Sequence, residues 1–282
     1  MCYNDYVVVD CMDNNQIGFS NPIIKEFIDL KKGSKDDRKF TLEGISIIKM
    51  LLDSEIKLDT FIYCEEYMYS DDAKSLLDRC LKESNNSYSV SKKVFDKLTD
   101  LDGPDGFVGI ATLPDYDFDQ ILKEKKNATI IVLDGLETSG NIGTIYRTAD
   151  GLGIDGIFVC NRRAKLTSNK VVKASMGALF YIPTKQFDDV DECYKWLEDR
   201  GFNVYLTDTR AEKNYFEIDF KNRVALVAGC ERYGIDKKWY KDSAKLIKIP
   251  MLGKCDSLNV AVATVIMASE AVMQQKFNLG ER

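Results

Sequence analysis

The first apolar rhythm along the chain is helical. Ile23, Ile24, Phe27 and Ile28 recur on one face after Ser20-Asn21-Pro22, which combines capping residues with a first-turn proline. Gly33 supplies the stop. Phe40-Thr41-Leu42 then reads as a strand, residues 45–53 as a helix and Thr60–Cys64 as a second strand. A helix capped at Ser70 runs to about Glu83, and Phe107–Ala111 closes this unit as a strand. Residues 112–127 mix a proline with dense charge and mark a linker. Beyond them strands are predicted at 128–133, 156–160, 180–183, 203–207, 223–228 and 245–249, and helices near 141–152, 168–177, 189–200 and 257–276. Short β-branched runs alternating with helices predict an α/β fold with a mostly parallel sheet covered on both faces. Ligands of such sheets collect beyond the carboxyl ends of the strands, so the segments after each strand carry the functional question.

Composition narrows that question. The 282 residues suffice for two domains, and 45% hydrophobic with 30% charged residues is ordinary for a globular protein. No run of about 18 apolar residues is present. The start, Met1–Tyr6, lacks the basic residues of a secretory signal. The eight cysteines never approach closer than nine positions, which fits free thiols of a cytoplasmic protein rather than a redox pair or zinc knuckle.

There is no histidine. That excludes Ser-His-Asp and Cys-His machinery, histidine-ligated zinc and an imidazole base, leaving arginine, lysine, carboxylates, hydroxyls or a cofactor. A net charge of −6 argues mildly against nucleic acid, yet the positive charge is segregated. Residues 31–39 carry five positive and two negative charges; residues 161–173 carry five positive and none negative.

Three segments follow predicted strands. The first, Asp134 to Ala149, joins a glycine-bearing loop to a helix, with Asn141 expected at the cap and Arg147 two turns in. It is neither a Walker A loop nor a spaced dinucleotide fingerprint. The second, Gly229-Cys230-Glu231-Arg232-Tyr233-Gly234, suggests a tight turn where backbone approaches a ligand. The third, Ile249-Pro250-Met251 through Ser257-Leu258-Asn259-Val260, leads into a long helix, where a buried Asn259 would require hydrogen bonds. Taken singly, each also reads as an ordinary cap or turn.

In this order, Asn-x-Gly-x-x-x-Arg-Thr-Ala, Gly-x-Glu-x-x-Gly and Ile-Pro-Met with Ser-Leu-Asn-Val-Ala resemble the three motifs of the SpoU/TrmH branch of the SPOUT RNA methyltransferases. Lys173–Phe180 is similar to that family too. Phe40–Gly44 and Leu101–Gly106 resemble landmarks of its substrate-binding domain, so the likeness covers residues 20–277. In one respect the chain departs: the second motif commonly reads Gly-Asn-Glu-Gly-x-Gly, and here Arg232 stands at the middle glycine.

The resemblance implies a 128–282 catalytic domain with a deep trefoil knot and a 20–111 RNA substrate-binding domain similar to a small ribosomal-protein fold. The 112–127 linker joins them, and the leader 1–19 has no assignment. It also implies methyl transfer from S-adenosylmethionine to a ribose 2′-hydroxyl of ribosomal RNA, with transfer RNA second, in a cytoplasmic homodimer joined through its C-terminal domains. By motif position Arg147 is the catalytic arginine and Asn141 its partner. Glu231, Ser257 and Asn259 match other active-site polar residues, and the backbones of Gly229, Ile249 and Leu258 match cofactor contacts; no metal is implied. The alternatives are a resistance-conferring ribosomal-RNA methyltransferase of the same family and a non-catalytic RNA-binding protein with a degenerate knot fold. A nucleotide-binding oxidoreductase lacks its fingerprint.

Overall fold

Two sheets organise residues 16–33 and 38–277, the part of the chain that the computed structural model describes. Residues 1–15 of the leader, and Lys35 of the first basic cluster, lie outside it.

The N-terminal sheet comprises β1 (Lys39–Glu43), β2 (Leu58–Tyr63), β3 (Asn86–Ser89) and β4 (Phe107–Thr112), interleaved with α1 (Pro22–Gly33), α2 (Ile45–Leu52), α3 (Asp71–Glu83) and α4 (Lys92–Leu98). Its order is β1-β4-β2-β3, with β4 antiparallel to β1 and β2 and β3 parallel to β2. Six of these eight elements lie where the apolar rhythm predicts them. The Ser70 side chain caps α3 by accepting from the Ala73 N–H at 3.1 Å. β3 and α4 escape the pattern. β3 reads Asn-Ser-Tyr-Ser, an edge strand with no apolar alternation, and α4 is a short helix burying only Val94, Phe95 and Leu98.

A short helix, α5 (Phe118–Leu122), lies within the expected linker. The second sheet follows, with β5 (Ala128–Asp134), β6 (Gly156–Cys160), β7 (Thr184–Gln186), β8 (Phe202–Thr207), β9 (Arg223–Gly229) and β10 (Lys245–Ile247). Its helices are α6 (Ser139–Leu152), α7 (Asn169–Ser175), α8 (Val190–Asp199) and α9 (Val260–Phe277). The order is β10-β8-β9-β5-β6-β7 and every pairing is parallel. All seven residues of β5 are buried, as a central strand covered on both faces requires.

Two expectations need correcting here. The segment 180–183 is not a strand. Met176 and Gly177 adopt left-handed conformations, φ 51° and 83°, and turn the chain into a single 3₁₀ turn at Ala178–Phe180. Phe180 is buried there against Phe40, centroids 5.8 Å apart, and the strand begins only after Pro183. The last helix begins at Val260, not near Ser257, leaving Ser257 and Leu258 in the approaching loop.

One apolar core runs beneath both sheets, joining Phe40, Leu42 and Ile48 to Leu133, Ile145 and Phe180. The polar seam beside it centres on Glu43, 4% exposed. Its Oε1 accepts from Asn169 Nδ2 of α7 at 2.8 Å and pairs with Lys31 at 3.2 Å, while Oε2 accepts from the Asp100 N–H at 2.9 Å. Tyr181 adds a hydrogen bond to the Met50 carbonyl at 3.0 Å.

Candidate active site

β5 and β9 are neighbours, with Asp134 in register with Gly229. From this pair the chain proceeds outwards to β6 and β7 on one side, and β8 and β10 lie on the other. At such a reversal of strand order the loops beyond the carboxyl ends part and leave a crevice. On the β9 side of this point lies a cleft of about 620 Å³, in the range that takes a small molecule. It is walled by the loops after β8, β9 and β10 and by the start of α9. Gly229, Glu231, Ile249, Ser257, Leu258 and Asn259 all line it.

Gly229 shows why the second motif needs glycine. A Cβ there would lie 2.4 Å from the Gly234 carbonyl carbon and 2.5 Å from the Ile235 nitrogen. The loop is closed on itself by Cys230 N–H to Gly234 O at 3.0 Å and Gly234 N–H to Cys230 O at 2.8 Å, with Gly234 at φ 72°. Arg232, where the family pattern has glycine, leaves this closure intact.

The three motifs meet through their side chains. Asn259 Nδ2 donates to Asn141 Oδ1 at 3.0 Å, and Asn141 Nδ2 donates to Glu231 Oε1 at 2.5 Å. Asn259 Oδ1 meanwhile caps α9, accepting from the Ala261 N–H at 2.9 Å and the Val262 N–H at 3.4 Å. The capping role is the expected one; the burial is not, because Asn259 and Glu231 are exposed. Asn141 does not cap α6 either. Thr138 holds that position, and Asn141 lies within the first turn, which frees its side chain to bridge the other two motifs.

Arg147 stands apart. It lies on the exposed face of α6 with Thr144 and Asp150, outside the cleft lining, and has no ion pair or hydrogen bond among the described residues. Ser257 is exposed and likewise unpartnered among them.

Sequence reasoning missed the other wall. Asp208, directly after β8, accepts from Arg210 Nη2 at 2.7 Å, from the Arg210 N–H at 2.9 Å and from the Tyr240 hydroxyl at 2.7 Å. The Arg210 guanidinium holds the Asp208 carboxyl below the usual carboxylate range despite burial. Burial, then the bond to Asp208, pushes the Tyr240 phenol up. The rule that favours loops beyond strand ends would have found Thr207–Arg210. Behind the second-motif loop, burial raises the Asp134 carboxyl, which accepts from Asn161 Nδ2 and the Asp236 N–H, both at 2.7 Å.

The basic clusters separate by role. Lys31 is half-buried in the Glu43 seam, Lys39 pairs with Glu26, and Arg38 pairs with Asp115. Lys170 and Lys173 remain exposed on α7, without an ion pair among the described residues. Among those residues no helix is long and apolar enough to cross a membrane.

The model of the SpoU rRNA Methylase family matches residues 128–269, half of the chain and every motif described above. The chain belongs to this family. Residues 21–109 match the MRM3-like substrate binding domain. An uncharacterised tRNA/rRNA methyltransferase of Synechocystis is 29% identical over 259 residues, covering 90% of this chain and 92% of its own. The crystal structure of an AdoMet-bound rRNA methyltransferase from Sinorhizobium meliloti superposes with a TM-score of 0.79 at 29% identity, covering 94% of this chain and 98% of that one. An RNA 2′-O ribose methyltransferase gives a TM-score of 0.69 at 29% identity over 92% and 98% of the two chains. As a member of the SpoU family the chain is a methyltransferase, built on a mixed α/β fold with a parallel sheet.

Proposed function

We propose that this SpoU methyltransferase transfers a methyl group from S-adenosylmethionine to a ribose 2′-hydroxyl of ribosomal RNA, working as a homodimer. The observation that carries this is the convergence of Asn141, Glu231 and Asn259, one from each motif, at the mouth of a cleft lined by Gly229, Ile249 and Leu258. The cleft has room for the cofactor: at about 620 Å³ it takes a small molecule, and Gly229, Ile249 and Leu258, whose backbone groups would hold it, all line it. When bound, S-adenosylmethionine supplies an electrophilic methyl group.

The chain's own residues then have to align and activate the hydroxyl. Arg147, whose guanidinium has no ion pair among the described residues, clamps the ribose-phosphate and stabilises oxygen as it gains negative charge. Asn141, itself held by Asn259, binds Glu231 by one oxygen, and Ser257 adds a hydroxyl at the rim. The placement of Arg147 outside the cleft of its own chain fits a site completed by two subunits. α9 supports the same reading, because Val262 is 47% exposed and Val265, Ile266 and Met273 half-exposed along one stripe. The domain division proposed is residues 20–111 for RNA binding, 112–127 as linker and 128–282, with the trefoil knot, for catalysis.

Incubation with tritiated S-adenosylmethionine and purified ribosomal or transfer RNA tests the reaction. Alkali-resistant label in ribosomal RNA is the expected result. Label confined to transfer RNA would move the substrate, label on bases would overturn the ribose assignment, and RNA binding without label would leave a binding protein. Light scattering at the single-chain mass would remove the dimer.

A further inference from the structure

The second-motif loop presents more than Glu231. Because its ends are tied by the two hydrogen bonds between Cys230 and Gly234, residues 231–233 project from the cleft rim. Tyr233 lines the cleft, yet is 63% exposed, and no hydrogen bond holds its hydroxyl among the described residues. Two guanidiniums flank it. That of Arg163 lies 4.9 Å from the ring centroid and that of Arg232 lies 5.5 Å away. They arrive independently, Arg232 from the same loop and Arg163 from the loop after β6, where Glu137 Oε1 holds it at 2.6 Å. A large aromatic ring facing water beside two cations has no role in the core and none in closing the loop.

We propose that Tyr233, framed by Arg163 and Arg232, is a stacking platform for an unstacked RNA base next to the reacting nucleotide. This rests on the RNA reading above and names the residues that would hold the strand. Unpaired bases are recognised by stacking on aromatic rings and guanidinium planes, which works for any base because each has a π-face. The open part of the Tyr233 ring offers that surface, and the guanidiniums meet the phosphates on either side of the base. Two cations at the rim favour a phosphodiester chain over the cationic sulfonium of the cofactor, whose proposed contacts lie with Gly229, Ile249 and Leu258.

Fluorescence anisotropy on the full chain tests this with labelled single-stranded oligouridine and oligoadenosine of about a dozen nucleotides and a duplex of the same length. Tyr233→Leu is expected to weaken single-strand binding about tenfold, with the salt slope and duplex binding unchanged. Tyr233→Phe should bind as wild type. Arg163→Gln and Arg232→Gln should each flatten the salt slope by about 0.7. Titration calorimetry with S-adenosylhomocysteine should give the same affinity for all four variants. Wild-type single-strand affinity in Tyr233→Leu would overturn the platform, and so would a parallel loss of S-adenosylhomocysteine binding, which would assign the ring to the cofactor. A wild-type chain that bound neither oligonucleotide would overturn the RNA reading itself, and the platform with it.

Discussion

Two carboxylates, Glu43 and Glu231, are each bound by an asparagine distant in sequence, and the two clusters have opposite characters. Asn169 reaches Glu43 across 126 positions, and Asn141 reaches Glu231 across 90. Glu43 is buried and both of its oxygens are engaged, by Asn169, Lys31 and the Asp100 N–H. Glu231 is exposed, with hydrogen bonding only at Oε1 among the described residues. A saturated buried cluster has nothing left to offer a ligand, and its worth lies in fixing two units against each other. An exposed cluster with spare acceptor and donor capacity contributes little to folding. That capacity is what a substrate would use.

The contrast breaks most visibly at Arg147. Arg147→Ala should lower methyl transfer by about 10²–10³, the usual cost of one preorganised charged contact, while calorimetric binding of S-adenosylhomocysteine stays near wild type. Its thermal stability should be unchanged, because the side chain is exposed and makes no ion pair or hydrogen bond among the described residues. Arg147→Lys should recover little, since an ammonium cannot reproduce the planar fork. Near-normal turnover in Arg147→Ala would assign the chemistry elsewhere.

At the buried cluster the readout reverses. Glu43→Ala strands the Asn169 amide and the Asp100 N–H and removes one of the two carboxylates facing Lys31, the other being Asp100 at 3.0 Å. A loss of about 3 kcal/mol by denaturant titration is expected, at the low end for a broken buried pair because Asp100 remains. Glu231→Ala should cost less than about 0.5 kcal/mol in the same titration, as exposed positions usually do. If the two lost equal stability, the division into a structural and a functional cluster would fail.

The exposed cluster was legible in the sequence and the buried one was not. Asn141, Glu231 and Asn259 stand in motifs whose order is kept along the chain, so their convergence follows from a resemblance and from the rule about strand ends. Glu43 belongs to a recognised landmark, but its role rests on partners 57 and 126 positions away, which no local pattern links to it. Lys31 shows the cost of reading charge locally. It counts within a basic cluster suited to RNA, yet its ammonium also donates to the Leu98 carbonyl at 2.6 Å inside the seam. The misplaced strand at 180–183 has the same origin, since an apolar run buried by a distant ring, Phe40, looks like a strand until the left-handed turn before it is seen. Long parallel strands and amphipathic helices are specified by local period; seams, edge strands and turns depend on what lies across the fold.

A smaller effect is expected at Asn259, which belongs to the exposed cluster and also caps α9. Asn259→Ala removes the acceptor for the Ala261 and Val262 N–H groups, worth about 1 kcal/mol, and releases Asn141 from one side. S-adenosylhomocysteine binding should weaken several-fold with the loosened turn at Leu258. Asn259→Asp keeps the capping oxygen but not the amide donor, so it should restore stability without restoring activity. Recovery of both would reduce Asn259 to a cap.

The smallest effect concerns the opposite cleft wall, which resembles the seam in burial and the active cluster in position. Arg210 and Tyr240 hold the Asp208 carboxyl below its ordinary value, near 4 in an unfolded chain. A carboxylate depressed by folding contributes stability that is fully present above the unfolded value and is lost as pH falls towards the folded one. One proton is involved, so the slope cannot exceed about 1.4 kcal/mol per pH unit. Asp208→Asn should therefore lower stability by a constant amount at pH 6–8 and begin to converge on wild type as pH falls below about 4. Asp134, raised by burial, has the opposite sign, but it is common to both proteins and cancels in the difference. Urea titrations of the pair from pH 3 to 8 measure that difference directly. A difference independent of pH throughout that range would show that Asp208 holds Arg210 and Tyr240 by shape rather than by charge.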